Sequence, residues 1–241
     1  MNLFCGRSST IEQMVHQPSD GGLTPTRPLQ IIAIAPKIAS EFIKNNHYSH
    51  RSANTAFAFG LFEDGVLVGA VTFGRPSSPQ VARSVSPMHT ELVWELNRLA
   101  LITPTKNAAS MLIGHALRKL PKPYICVSFA DRGQQHVGFV YQATNFWFAG
   151  ESRPHDSEYL IDGKRVHPRT LASRGITAPR QWAKDNNIKF VPIEPKYRYV
   201  IFKGVAEDSI KWPLSKTYPK GNPILLNARS KTSHGREEQA T

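Results

Sequence analysis

Apolar and polar positions alternate most cleanly between residues 56 and 73. Phe57, Phe59 and Leu61 interleave with the small residues Ala56, Ala58 and Gly60, the period of two that a strand requires. Glu63-Asp64-Gly65 has turn chemistry and the chain then returns from Val66 to Phe73, so a β-hairpin is expected here. Upstream, residues 29–34 form a first strand. Pro36 opens a helix with Ile38, Phe42 and Ile43 on its apolar side, running into the polar cluster Asn45-Asn46-His47-Tyr48-Ser49-His50-Arg51. A loop after Gly74 and irregular chain to Thr90 lead to a strand over 91–101, with polar groups at Glu95, Asn97 and Arg98. Pro104-Thr105-Lys106-Asn107 breaks that strand, and Asn107 is the expected cap of a helix from about 108 to 120, with Met111, Leu112, His115 and Leu117 mostly on one side.

The next stretch gathers the most chemistry. Residues 124–129 are aromatic and β-branched, as in a buried strand, and run into Asp131 and a polar turn. A helical pattern follows through Val137, Val140, Tyr141 and Thr144. Ser128, Asp131, His136 and Tyr141 therefore meet at a strand-to-helix junction, where α/β folds place ligands. Each residue also has a plainer role. Asp131 is a general base or a turn cap on the amides of Gly133 or Gln134. Tyr141 is a proton donor or a core residue. Arg98 clamps an anionic or carboxylate group, or pairs with Glu95 or Asp131. His47 and His50 stand three apart and suit one metal, with His136 joining through the fold; the alternative is ordinary hydrogen bonding. Cys126 is a poor nucleophile, since apolar neighbours raise a thiol pKa.

Beyond Gly150 the pattern weakens to a hairpin over 159–166, a short basic helix over 179–186 and a last strand over 197–203. The expected organisation is a flexible segment 1–28, a catalytic domain 29–203 containing a basic insert 151–196, and a largely flexible tail 204–241. No internal repeat stands out.

Charge adds a partner class. The chain carries 30 Lys and Arg against 18 Asp and Glu, a net charge of +12. Residues 164–198 hold nine of those cations against Asp185 and Glu194, a net +7. Such a field suits a polyanion, meaning nucleic acid or an anionic membrane face, and nucleic acid is the leading partner class. Lys164, Arg165, Arg169, Arg174 and Arg180 are the expected phosphate contacts. Two cysteines make no disulfide framework. With no membrane-length apolar run and no signal-peptide pattern, a cytoplasmic protein is expected.

The element order strand, helix, hairpin, long strand, helix, strand, helix, strand resembles the GCN5-related N-acetyltransferases. Tyr141-Gln142-Ala143-Thr144-Asn145-Phe146 is similar to that superfamily's Tyr-x-x-x-Gly-Phe, with Asn145 in place of Gly. The resemblance implies an α/β (α+β) fold with a central mixed sheet flanked by helices, a tyrosine acid and an acyl-CoA donor. Asn107 and Ser110 lie where the acyl-CoA pyrophosphate loop belongs. That loop is usually (Gln/Arg)-x-x-Gly-x-(Gly/Ala); here residues 104–110 contain no glycine.

Asn46-His47-Tyr48-Ser49, Glu95-Leu96-Asn97-Arg98-Leu99 and Ser128-Phe129-Ala130-Asp131, with Gly138 and Tyr141-Gln142-Ala143, more closely resemble the Mom family of Mu-like bacteriophages. The likeness spans roughly residues 30–203. It implies a DNA-modifying enzyme of the host cytoplasm that converts adenine to its N6-carbamoylmethyl form and so protects phage DNA from restriction. The implied site is His47, Tyr48, Arg98, Asp131 and Tyr141, with Ser128 against substrate. Acting on a base within a duplex requires extruding it, and Tyr48, Trp147 or Phe148 are the aromatics available to hold it. The donor is an activated glycine such as glycyl-tRNA, or an acyl-CoA; iron or another metal is a further candidate. Competing readings are an acyl-CoA-dependent N-acetyltransferase and a non-catalytic nucleic-acid binder.

Overall fold

The hairpin forms where the alternation places it. β2 (Phe57–Glu63) and β3 (Val66–Gly74) pair antiparallel about Asp64 and Gly65, whose positive φ of 51° and 80° suits a tight turn. This is a computed structural model; it describes residues 29–152 and 158–221, except the side chain of Arg169. The expected flexible segment 1–28 and the end of the expected tail, 222–241, lie outside the described residues.

Around the hairpin a seven-stranded mixed sheet assembles in the order β1-β2-β3-β4-β5-β10-β6. The remaining strands of that sheet are β1 (Leu29–Ala33), β4 (Val93–Leu101), β5 (Tyr124–Ala130), β6 (Trp147–Glu151) and β10 (Tyr197–Lys203). Helices α1 (Pro36–Asn46), α3 (Ala108–Lys119) and the short α4 (Phe139–Ala143) flank it, giving the acetyltransferase-like arrangement expected. Phe59, Phe73, Leu112, Ile113, Phe146 and Tyr199 anchor the core beneath α3. Val93, Ile125, Val127 and Val200 form a second core with Trp212.

Several expectations need correction. The chain before Thr90 is not irregular throughout: Ser78 caps and Pro79 opens a further helix, α2 (Pro79–Val85), whose Ala82 and Val85 are buried. α1 buries Ala39 and Ile43, while Ile38 is 49% exposed. On α3, Met111 is 44% exposed and Ile113 and Ala116 take the buried face instead. Asn107 does not cap α3 through its side chain. Its backbone is left-handed at φ 63°, a conformation asparagine tolerates better than most residues. The helix around Tyr141 covers only five residues, because Gly138 enters it at φ 78° and Asn145 leaves it at φ 63°. Residues 204–221 are not a loose tail; Ile210 and Trp212 are buried against the sheet.

The basic insert is a small unit of its own. β7 (Glu158–Ile161), β8 (Lys164–Val166) and β9 (Lys189–Val191) make a three-stranded sheet in the order β8-β7-β9. α5 (Pro168–Ser173) and α6 (Pro179–Asp185) cover it through Leu171 and Ala183, which pack with Tyr159 in a separate core. The hairpin β7–β8 turns at Asp162 and Gly163, both with positive φ. α5 and β9 were not foreseen, since six- and three-residue elements are too short to show a period.

Gly138 links this architecture to the site. A Cβ there would lie 2.5 Å from the Tyr199 ring, and φ is positive as well. Gly138→Ala is expected to lose about 2–4 kcal/mol, combining backbone strain with overpacking, read as a lowered urea midpoint.

Candidate active site at the splay of two parallel strands

β4 and β5 are the parallel pair of the main sheet, and they stay together only from Val93 to Glu95 and Ile125 to Val127. Beyond that point they part. Asn97 is the extra residue of a bulge, since Thr72 pairs with Arg98 while Phe73 pairs with Leu96. Its side chain fixes the kink: Asn97 Oδ1 accepts from Thr72 Oγ1 at 2.6 Å and Nδ2 donates to the Asn54 carbonyl at 2.9 Å. Ser128 Oγ bridges the start of the opening by donating to the Leu96 carbonyl at 3.0 Å. A cleft thus opens between Arg98 on β4 and Asp131 just past β5.

The chain following α1 closes over the cleft. Arg98 Nε donates to the Arg51 carbonyl at 3.0 Å, drawing that segment onto β4. A second guanidinium nitrogen donates to the Asn97 carbonyl at 2.6 Å, so part of Arg98's donor set is structural. His47 and Tyr48 have ring centroids 4.3 Å apart, and His136 meets Tyr48 edge-on at 5.7 Å. Tyr48 remains 52% exposed. Burial raises its pKa first and the charge of Asp131 raises it further, opposed by Arg98.

His47 has a defined tautomer. Its Nδ1 accepts the Ser49 backbone N–H at 3.1 Å and lies 2.8 Å from Ser49 Oγ. The neutral ring therefore carries its proton on Nε2. Burial, then the positive charge of Arg98 and the neighbouring His136 and His50, lower its pKa to about 4. At neutral pH His47 is a hydrogen-bond donor at Nε2.

Tyr141 takes the core position expected of it as one alternative. Its ring packs on Phe146 at 5.5 Å and Tyr199 at 5.1 Å. Burial pushes its pKa up to about 12, partly offset by a hydrogen bond with Ser128, so the hydroxyl stays protonated beside the cleft. Asp131 is not the turn cap considered from sequence. Its backbone carbonyl, not its carboxylate, accepts the N–H groups of Gln134 and His136, at 3.1 and 3.0 Å. The carboxylate lies 3.8 Å from Lys196 Nζ. Cys126 is fully buried and its pKa is raised by burial, which leaves it inert.

Other expected residues lie elsewhere. Trp147 packs under the Lys216 ammonium at 3.9 Å, and Phe148 packs on Tyr197 and Tyr199 at 5.8 Å; neither ring takes part in the Tyr48 stack. Lys164, Arg165, Arg174 and Arg180 are exposed on the insert, and the Arg169 side chain is outside the described set. His50 Nδ1 donates to the Lys44 carbonyl at 2.9 Å. Among the described residues no three His, Cys, Asp or Glu side chains assemble as a metal-ligand set.

The loop ahead of α3 does not fit a pyrophosphate either. Thr103 and Thr105 hydroxyls each donate to the Glu63 carboxylate at 3.0 Å, so the loop already faces an anion. Ser110 Oγ turns back to the Asn107 carbonyl at 2.9 Å. An acyl-CoA diphosphate would meet like charge and no glycine-bared amides.

Sequence reasoning missed Lys196, Asn97, Ser49 and Glu63. Asn97 left one signal, a polar residue breaking the strand's alternation. Lys196 and Glu63 act through partners far along the chain, Asp131 for one and Thr103 and Thr105 for the other, while Ser49 acts through a turn that brings it back onto His47.

A mixed sheet whose central parallel pair splays beside a tyrosine-bearing helix is an acetyltransferase-like scaffold. Solved chains with a similar trace include an acetyltransferase from Streptococcus pneumoniae, at 11% identity and TM-score 0.41 over 73% of this chain and 100% of that one. A spermidine N-acetyltransferase variant from Vibrio cholerae gives 13% identity and TM-score 0.40 over 72% and 93%. The model of the Mom protein family matches residues 28–220, and the chain belongs to that family. It is 33% identical over 155 residues to the methylcarbamoylase mom of Escherichia phage Mu, covering 61% of this chain and 63% of that protein. The match thus spans somewhat under two thirds of that relative's length.

The His47 environment has a measurable consequence. The folded ring should titrate near pH 4, against 6.5 for an unperturbed imidazole. Between those values the unfolded chain binds a proton that the folded chain refuses, so stability should fall as pH drops through this window. ¹⁵N chemical shifts of the His47 ring, followed against pH, would show an early transition near pH 6.5 if the assignment is wrong.

Proposed function

We propose that this chain is a DNA-modifying transferase that converts adenine to its N6-carbamoylmethyl form, acting in the host cytoplasm to shield phage DNA from restriction. The observation that carries the reading is the meeting of Tyr48, Arg98, Asp131 and Tyr141 at one cleft in a member of the Mom family. Family kinship points to DNA as the substrate, and the net charge of +12 favours a polyanion. No helix among the described residues is long and apolar enough to cross a membrane.

Adenine N6 is a weak nucleophile, because its lone pair is delocalised into the purine. The extruded base would stack on Tyr48. Asp131 accepts the N6 proton as N6 attacks the donor carbonyl, and Lys196 at 3.8 Å steadies the carboxylate between turnovers. The oxyanion that forms takes hydrogen bonds from His47 Nε2–H and the Arg98 guanidinium. Tyr141, held protonated by a pKa near 12, gives its proton to the departing alkoxide.

An activated glycine ester, such as glycyl-tRNA, suits this chemistry better than acyl-CoA, given the Glu63 carboxylate on the loop before α3. Transfer forms an N6-glycyl amide and releases the ribose hydroxyl. The glycyl amine then attacks ring C6 through a five-membered spiro intermediate, and the bond from C6 to the original nitrogen breaks. That nitrogen becomes the carboxamide, an isomerisation needing no further reagent.

Two experiments test the scheme. Asp131→Asn and Tyr141→Phe should each reduce restriction resistance of co-resident plasmid DNA, with modification rates down about 100-fold or more while the fold is kept. Wild-type protection from both variants would remove these residues from the chemistry. Adenine labelled with ¹⁵N at N6 should deliver its label to the carboxamide; label retained on the ring-attached nitrogen would eliminate the glycyl route.

A further inference from the structure

The insert has two unlike faces. Across its sheet Tyr159 stands in register with Val166 and Phe190, and this row is the one that α5 and α6 cover through Leu171 and Ala183. The next row places Leu160 between Arg165 on β8 and Lys189 on β9. Successive residues of a strand point to opposite faces, so Arg165, Leu160 and Lys189 share the face turned away from the helices. Both cations are exposed. Their Cα atoms lie two strand spacings apart, about 9–10 Å. Heads on flexible stems at that spacing can reach phosphates on the two sides of a duplex groove, about 6 Å wide for the minor and 12 Å for the major. Glu158 shares the face, but its contact with Arg165 is long, at 3.9 Å, and the Arg165 side chain is 63% exposed. Such a pair contributes little and yields to phosphate.

The insert also leaves the main sheet beside the cleft. Ser152 N–H donates to the Lys196 carbonyl at 2.8 Å and Lys196 N–H donates to Ser152 Oγ at 2.9 Å. These two chains meet again as β7 and β9, with Glu158 opposite Val191. Lys196 is the residue whose ammonium lies 3.8 Å from Asp131. The insert's last strand, β9, is therefore followed within a few residues by the lysine beside the end of β5.

We propose that the open face of the insert, with Arg165 and Lys189 flanking Leu160, is the docking surface for the phosphate backbone of duplex DNA. The inference rests on the reading of this protein as a DNA-modifying enzyme. Lys189 is one cation of the basic run 164–198, and the strand register sets it on the same row as Arg165. The contacts are to phosphate, so they position the duplex and carry no sequence preference.

The test is binding of a short fluorescein-labelled duplex to the full chain, by anisotropy across a range of NaCl concentrations. Each phosphate contact contributes about 0.9 to the slope of log K against log salt. Arg165→Gln with Lys189→Gln should lower that slope by about 1.8, and each single variant by about 0.9. The control Lys184→Gln, on the helical side, should change it by less than about 0.3. Melting curves establish that each variant is folded, and the single variants stand in if the double variant is not. The proposal is overturned if the helical-side variant lowers the slope as much as either open-face single variant, or if the open-face variants leave it unchanged while wild type binds. It is also overturned if the open-face variants lose binding to a labelled RNA hairpin and keep binding to duplex. A wild-type chain that does not bind duplex at all would remove the DNA reading itself, a result distinct from the others.

Discussion

Everything at the cleft depends on the parting of β4 and β5 and on the serine that marks where it begins. A parallel pair that continued past Glu95 would bury this region under backbone hydrogen bonds. Pairing with β5 ends at Glu95; just beyond, β4 bulges at Asn97 against β3, and Thr72 and Asn54 hold the bulge in place. Ser128 then has two neighbours to serve, donating to Leu96 and standing beside the Tyr141 hydroxyl. One buried hydroxyl thereby ties β5 to β4 and contacts the proposed acid.

The helix that presents Tyr141 is too short to stand alone, since a single turn does not repay its nucleation. It is held from two sides. Tyr199 packs against Gly138, donating its hydroxyl proton to the Val137 carbonyl, and the C-terminal chain crosses the far end. There Lys216 donates to the Asn145 carbonyl at 3.0 Å and Tyr218 to the Phe146 carbonyl at 2.8 Å. Residues far apart in the chain thus fix one phenol, while the site's pKa pattern follows from burial: His47 is held neutral and Tyr141 protonated.

How much of this was legible in the sequence varies with the range of the interaction. The hairpin, β5 and α3 showed because periodicity is a local property. Asp131, Tyr141 and Arg98 stood out as polar residues at element ends or within a strand. The tautomer of His47 was not legible, because it depends on a turn bringing the Ser49 amide back to the ring. Lys196 was one cation among nine in the basic run, and nothing local ranked it above the rest. Trp147 and Phe148 looked available because aromatic character says nothing about which side of an edge strand a ring occupies. Glu63 was read as hairpin chemistry; its hydrogen bonds to Thr103 and Thr105 bear instead on the choice of donor.

The central claim is chemical: a base extruded into this cleft leaves carrying a two-carbon amide. Mass spectrometry of nucleosides from the DNA of bacteria expressing this chain tests it most directly. The account predicts a deoxyadenosine derivative heavier by one glycyl unit, whose fragments retain the amide on the base. DNA with unmodified adenine from cells in which the folded protein is abundant and donor metabolism intact would contradict it.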